Sequence, residues 1–460
     1  MTQPLVAQTR FARHPDVLRS VVADVLASAD PAEAVVRNWP ADAALAERLK
    51  GGMLIAAGKA SMAMALAAVE RCGVRPSVGV VITAVGAKCP PVLHAAGVRV
   101  LEADHPLPSQ RNLIAARAAS DAARLASSRR LPLLTLLSGG ASAHLTFPQP
   151  GITLSDIRSI TDALLRAGAT IAELNVVRTC LEQLKGGGLS RLAAPSPVCS
   201  LILSDVLGDS VKVIASGPTA DGRPVPNKAR RAREIRRVGE GVPSGSARLG
   251  ARPPPPAPPP PAVENATNTI VGSNAMAVVA ARDALERQGF SIAEARMHVD
   301  GEARVLGEAF AGALLRAKAA AAGKPIALVW GGETTVTIRP APHIASGHGG
   351  RNQEAALAAA IALAGHPNVA AMFLATDGAD GVAPPGLRAH AGAVVTGESV
   401  ATARAGGIDA PKSLAAHDSH AFVRALGAGN GGAGGGETTV IPAGPTGTNV
   451  NDIWVGLAYP

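Results

Sequence analysis

Apolar residues recur along the chain in two rhythms. Val17, Leu18, Val21, Val22, Val25 and Leu26 fall at helical spacing and predict a helix over 14–38 that breaks near Asp30-Pro31 and resumes. After it come short, mostly apolar runs, each leading into small or charged residues. The run 52–57 leads into Gly58-Lys59-Ala60-Ser61, the run 98–102 into Asp104-His105-Pro106, and the run 133–137 into Ser138-Gly139-Gly140-Ala141-Ser142. Two more, 79–83 and 198–203, complete the set, the last ending in Ser204-Asp205 and Gly208-Asp209. Helices are predicted from about 111, over 154–167, and through Asn175, Arg178 and Lys185. Apolar strands alternating with helices predict a βαβ series on a parallel sheet. Their polar ends then gather on one edge, where open parallel sheets bind ligands.

The second half repeats the alternation. A strand over 269–271 and Gly272-Ser273-Asn274 open a long alanine-rich helix, followed by a helix over 302–322 and a strand over 326–330. Gly331-Gly332-Glu333 and then Gly347 to Glu354 bring a strand, a glycine-rich turn and a helix start into one short span. Later come a helix 353–364, strands 369–374 and 391–395, a helix 398–405, Asp418-Ser419-His420 before a short helix, and a final strand. Between the halves the character changes. An arginine-rich stretch passes into Pro253–Pro261, eight prolines around Ala257, which predicts stiff polyproline without a core. The expected division is therefore 1–262, with 220–262 atypical, a connecting α/β segment 263–325, and a C-terminal domain 326–460.

Composition sharpens this picture in three ways. Hydrophobic residues are 47% of the chain but aromatics only 2%, so alanine and glycine must fill much of the interior. The net charge of +9 comes mostly from 223–252, where nine Lys and Arg face Glu234 and Glu240 without interleaved aromatics. This argues against nucleic acid as a partner. Cys72, Cys89, Cys180 and Cys199 have neither disulfide-framework nor zinc spacing. No leader-like or bilayer-length apolar run is present, and cytoplasmic residence without a membrane partner is the expectation.

Candidate chemistry sits at the strand ends. Lys59 is placed for an anion, or is a solvated lysine at a turn; it does not complete a Walker loop, because residue 53 is methionine. Asp205 with Asp209, and Asp377 with Asp380, have the spacing to hold a hydrated Mg²⁺ or to cap and structure their loops. Arg351 lies where glycine-rich backbone and a helix N-terminus would meet a phosphate, or simply in a glycine-rich turn before a helix.

Taken in order, these segments resemble the class II glycerate kinases, which join a glycerate-kinase N-terminal domain to a C-terminal MOFRL domain. The resemblance rests on Gly58-Lys59-Ala60-Ser61, Ser138 to Ser142, Asn175 with Arg178 and Lys185-Gly186-Gly187, Ser204-Asp205 with Gly208-Asp209, and Ile214 to Thr219. It continues through Gly272-Ser273-Asn274, Gly331-Gly332-Glu333, Gly349 to Glu354, Thr376-Asp377-Gly378 with Asp380-Gly381, Asp418-Ser419, and Thr446 to Asp452.

What it implies is an α/β protein of two domains: a Rossmann-like three-layer parallel-sheet domain and a smaller C-terminal α/β domain. It also implies ATP-dependent phosphorylation of D-glycerate, normally to 2-phosphoglycerate, with Mg²⁺, in a cleft between the domains. A homo-oligomer is compatible with it. On this reading Lys59, Arg351 and Asp205 are catalytic, and Asp209, Asp377 and Asp380 hold metal. Ser61, Ser138, Gly139, Gly140, Ser142, Asn175, Lys185, Ser216, Asn274, Glu333, Gly350, Asn352, Glu354 and Asp418 bind substrate or nucleotide.

Members often carry the name hydroxypyruvate reductase, which requires a dinucleotide site. The one GxGxxG here, Gly427 to Gly432, lies in a glycine patch rather than between a strand and a helix. An inactive member acting only as a binding protein is the remaining alternative. The chain departs from the family's pattern between Thr219 and Val263 and in the glycine patch at 427–436.

Overall fold

The structure is a computed structural model, and it describes residues 11–169, 171–220, 266–338, 347–387, 390–427, 440–441 and 444–460. The readings of a polyproline stretch and of the GxGxxG patch beyond Gly427 lie outside these residues. The chain forms two compact units, one of Pro31–Val271 and one of residues up to Asp30 together with Gly272–Pro460. The helix His14–Ser28, kept with the N-terminal part in the sequence division, thus belongs with the second half.

In the first unit, strands β1 (Met53–Ala57), β2 (Val78–Ala84), β3 (Val98–Ala103), β4 (Leu133–Leu137), β5 (Val198–Leu203) and β6 (Ala266–Gly272) form one sheet in the order β3-β2-β1-β4-β5-β6. The pairs β2–β3, β1–β2, β1–β4 and β4–β5 are parallel. β1, β4 and β5 are buried along their whole length, their apolar sequences interrupted only by Thr135 and Ser200, where Thr135 Oγ1 donates to Ser200 Oγ (2.6 Å). The helix Gln110–Arg129 packs with Ala115, Ala119, Ala122, Ala123 and Ala126 buried, so small side chains set its close approach. The winding direction reverses between β1 and β4. That reversal opens a crevice at the C-terminal ends of these two strands.

The second unit holds β7 (Ser291–Glu302), β8 (Ile326–Thr335), β9 (Val369–Ala375), β10 (Gly392–Thr396) and β11 (Asp452–Ala458) in the order β10-β9-β11-β8-β7. β7 and β8 are parallel; β8–β11, β11–β9 and β9–β10 are antiparallel. Several of the chain's few aromatics meet here, with Phe310 5.0 Å from Trp330 and 5.9 Å from Trp454 between ring centroids. β8 runs on through Gly331 and Gly332 to Thr335, five residues beyond the expected strand. A Cβ on Gly332 would stand 1.9 Å from the carbonyl oxygen of Val299, so this glycine lets β7 and β8 close together.

Candidate active site

Lys59 follows β1 directly and is exposed at the crevice of the first unit. Its backbone N–H donates to the carbonyl of Gly139 (2.8 Å), and Ser138 N–H donates to the carbonyl of Ala57 (3.0 Å). Ala60 N–H donates to Ser138 Oγ (3.0 Å), and Ser61 Oγ donates to the carbonyl of Ile82 (2.8 Å). The loops after β1 and β4 are thereby locked together. Gly140 adopts φ +84°, where a side chain would be strained. A Cβ on Gly139 would lie 2.3 Å from Asp205 Oδ2, so the Asp205 carboxylate packs against this glycine and would have to shift for a side chain there. Among the described residues the N–H groups of Gly139 and Gly140 have no hydrogen-bond acceptor. The crevice thus carries a lysine, two open backbone donors and a carboxylate.

His144 lies beneath this turn, fully buried, and its Nδ1 accepts the N–H of Gly58 at 3.2 Å. Burial pushes its pKa down to about 4, against the pull of the Ile82 carbonyl and with help from His105 and Lys59. The ring is therefore neutral, and that neutrality is what lets it accept.

Asn175, Ser216, Ser142 and Lys185 are brought together in a buried chain. Ser216 Oγ donates to Asn175 Oδ1 (2.9 Å) and lies 2.8 Å from Ser142 Oγ, while Lys185 Nζ donates to Ser142 O (2.7 Å) and Ser142 Oγ (3.0 Å). Lys185 also pairs with Glu182 at 3.1 Å, both side chains being at most 2% exposed. Burial lowers the Lys185 pKa and raises that of Glu182, and each partner's charge opposes the shift. Lys185, expected at the substrate or nucleotide, thus contacts Ser142 and Glu182 within the first unit.

In the second unit Arg351 begins the helix Arg351–Leu363. Its Nε and Nη2 donate to the two oxygens of Asp452 (2.7 and 3.0 Å), and Nη1 donates to Glu333 Oε1 (2.7 Å). Burial works against the Arg351 cation, but Asp452, Glu333 and Asp380 outweigh it, so the guanidinium stays charged. Burial also pushes the Asp452 carboxyl up, and Arg351 and Asn352 pull it back. Asn352 Nδ2 donates to Asp452 Oδ1 (2.9 Å), and its Oδ1 accepts from Trp454 Nε1 (2.8 Å).

The helix N-terminus expected to meet a phosphate is filled by the protein itself. Asp380 accepts the N–H of Asn352 (3.1 Å) on one oxygen and the N–H of Gln353 (2.8 Å) on the other. A carboxylate with both oxygens on helix N–H groups caps the helix, and that is where the structure places Asp380, the residue expected to hold metal. Gly350 fits beneath it, since a Cβ would stand 2.4 Å from the Asp380 carbonyl carbon.

The remaining expected residues are placed as follows. Glu354 is buried in a triad, receiving Arg304 Nε at 2.8 Å and facing His417 Nδ1 at 2.9 Å. Asn274 braces the closing loop, donating to the carbonyls of Val450 (2.8 Å) and Asp452 (3.0 Å). Asp418 accepts the N–H of His348 (3.2 Å), and Asp377 accepts the N–H of Ala379 (3.1 Å). Asp209 stands on the loop after β5 at φ +50°.

Asp452, His105 and His144 were not among the expected site residues. Asp452 does fall within the quoted stretch Thr446 to Asp452, which was its only signal. Among the described residues no group of three or more His, Cys, Asp or Glu could hold a metal by itself, and no helix is long and apolar enough to cross a membrane.

Two family models match the chain, a domain of unknown function (DUF4147) over residues 17–245 and the MOFRL family over 326–452. The D-glycerate 2-kinase of Thermotoga maritima is 34% identical over 88% of this chain and 90% of its own. A relative from Agrobacterium vitis, 37% identical over 95% of this chain and 93% of its own, carries a provisional hydroxypyruvate reductase name. The crystal structure of glycerate kinase from Thermotoga maritima superposes with a TM-score of 0.80 at 32% identity, covering 96% of this chain and 99% of that one. With relatives this similar along nearly its whole length, the chain belongs to the glycerate kinase family that joins a DUF4147 domain to a MOFRL domain.

Proposed function

We propose that the protein is a cytoplasmic ATP-dependent kinase that transfers the γ-phosphoryl group to the 2-hydroxyl of D-glycerate, giving 2-phosphoglycerate and ADP. The observation that carries this reading is the pairing of exposed Lys59 with the open N–H groups of Gly139 and Gly140 at the β1/β4 reversal. Phosphoryl transfer asks the protein chiefly for positioning and for stabilisation of charge spread over the phosphoryl oxygens. Lysine supplies a point charge there, and backbone N–H groups supply fixed dipoles.

Arg351, within the second unit, is proposed as an anion-binding residue. Three of its five N–H bonds are held by Asp452 and Glu333, which fixes the plane in which the other two are offered.

Asp205 and Asp209 fit Mg²⁺, which keeps water and phosphate oxygens as ligands and asks the protein for only one or two carboxylates. When bound, the ion would neutralise phosphate charge. Asp380, whose two oxygens cap the helix Arg351–Leu363, is left out of this set.

A reductase reading is favoured only by the name carried by the Agrobacterium vitis relative. The test is purified protein with MgATP and D-glycerate, following ADP and identifying the phosphoglycerate isomer, with NADH and hydroxypyruvate in parallel. ADP formation without NADH oxidation supports the kinase, and the reverse pattern removes it.

A further inference from the structure

His105 belongs to a stretch, Asp104-His105-Pro106, that the site described above does not use. It leaves the end of β3, two strands away from β1 in the sheet, yet its ring reaches the turn after β4. His105 Cδ2 lies 3.3 Å and Nε2 3.6 Å from the place a Cβ on Gly140 would occupy, and Lys59 Cγ lies 3.5 Å from that same place. Imidazole and lysine therefore flank one glycine whose N–H is open.

This reach is built. Asn112, fully buried on the helix Gln110–Arg129, accepts on Oδ1 from the N–H groups of Asp104 (3.0 Å) and Ser109 (2.8 Å). Its Nδ2 donates to the carbonyls of Asp104 (2.9 Å) and Ala143 (2.8 Å). All the bonding capacity of one amide goes into tying the loop after β3 to the helix after β4. The His105 ring itself is exposed and has no hydrogen-bond partner among the described residues. A loop fastened this firmly that ends in an unsatisfied, solvent-facing imidazole is arranged to meet a ligand.

We propose that His105 contacts the hydroxy acid and accepts the proton of its reacting hydroxyl; this rests on the kinase reading above. As the hydroxyl oxygen bonds to the γ-phosphorus, the bond from that phosphorus to the β,γ-bridging oxygen breaks. ADP carries away the electron pair, and the hydroxyl proton passes to an imidazole nitrogen. Partial desolvation by the surrounding loops, and then the charge of Lys59, lower the His105 pKa, which favours the neutral ring that can accept. The other charged or titratable groups around it are buried neutral His144, and Asp104, which Arg111 pairs at 3.3 Å.

The test compares wild type, His105→Asn and His105→Ala in steady-state assays with MgATP and D-glycerate from pH 5 to 9, with circular dichroism to show that each variant is folded. The expected result is a fall in kcat of about a hundredfold in both variants, the scale of general-base catalysis. The KM for glycerate should change less than about threefold in His105→Asn, and the acid limb of the kcat profile should disappear. Folded variants with kcat within threefold of wild type, or with the acid limb retained, overturn the role. A wild type that forms no ADP overturns the kinase reading and this role together, whereas an active wild type with unaffected variants overturns the role alone.

Discussion

Arg351 and Asp452, a hundred residues apart in sequence, meet through two hydrogen bonds of 2.7 and 3.0 Å that align guanidinium and carboxylate in one plane. Antiparallel pairing puts Asp452 opposite Gly332 on β8 and Ala375 on β9, at the end of the sheet where the helix Arg351–Leu363 begins. The pair fixes the orientation of a cation that the proposed chemistry uses. Asp452→Ala should therefore act twice. It leaves the half-buried cation with Glu333 as its remaining ion-pair partner among the described residues, for which about 2 kcal/mol of stability is expected to be lost, and it loosens the orientation of the guanidinium. Denaturant unfolding together with kinetics would check this, and a variant as stable and as active as wild type would contradict it.

Lys59 is exposed, so its removal should leave the fold intact. Lys59→Ala is expected to lower kcat at least about a hundredfold with an unchanged melting temperature, as when one charge-stabilising donor is lost. Near-normal turnover would take Lys59 out of the mechanism.

Lys185 should behave in the opposite way. Lys185→Met leaves Glu182 buried without its partner, at a cost of about 3 to 5 kcal/mol. Adding Glu182→Gln should recover a large part of that loss, because the uncompensated charge is then gone. A double-mutant cycle by chemical denaturation measures both, and equal stability of the single and double variants would show that the pair is not coupled.

His144 links stability to acid. Its folded pKa, about 4, lies below the ordinary histidine value of 6.5, so the unfolded chain binds the proton more readily. The contribution is complete above about pH 6.5 and is lost as pH falls towards 4, amounting to roughly 3 kcal/mol at most. His144→Asn keeps an acceptor near the position of Nδ1 without titrating. Unfolding free energy measured from pH 7 to pH 4 should fall less steeply in that variant, and parallel curves would remove His144 as the cause.

The elements legible in the sequence are those whose residues carry their own reason. β1, β4 and β5 are apolar runs, interrupted only by Thr135 and Ser200, because they are buried along their length. β7 was not legible. It is an edge strand, mostly exposed, and its register shifts between Ile292 and Glu294 and between Arg296 and Val299 leave no clean alternation. The arginine at 351 was readable as an anion binder from its glycines, but not the anions that the protein supplies. Asp380 arrives from a loop after β9 and Asp452 from the last strand, and only tertiary pairing brings either to the helix start. The burial of Lys185 was not legible for a related reason, since it depends on its neighbours Glu182 and Ser142.

The central claim is that this chain phosphorylates D-glycerate at the crevice marked by Lys59. Phosphorus NMR of wild type and Lys59→Ala, each incubated with MgATP and D-glycerate, tests it most directly. The account predicts a 2-phosphoglycerate resonance growing in step with ADP for the wild type and nearly absent for the variant. No phosphoglycerate from the wild type, or equal amounts from both proteins, would contradict it.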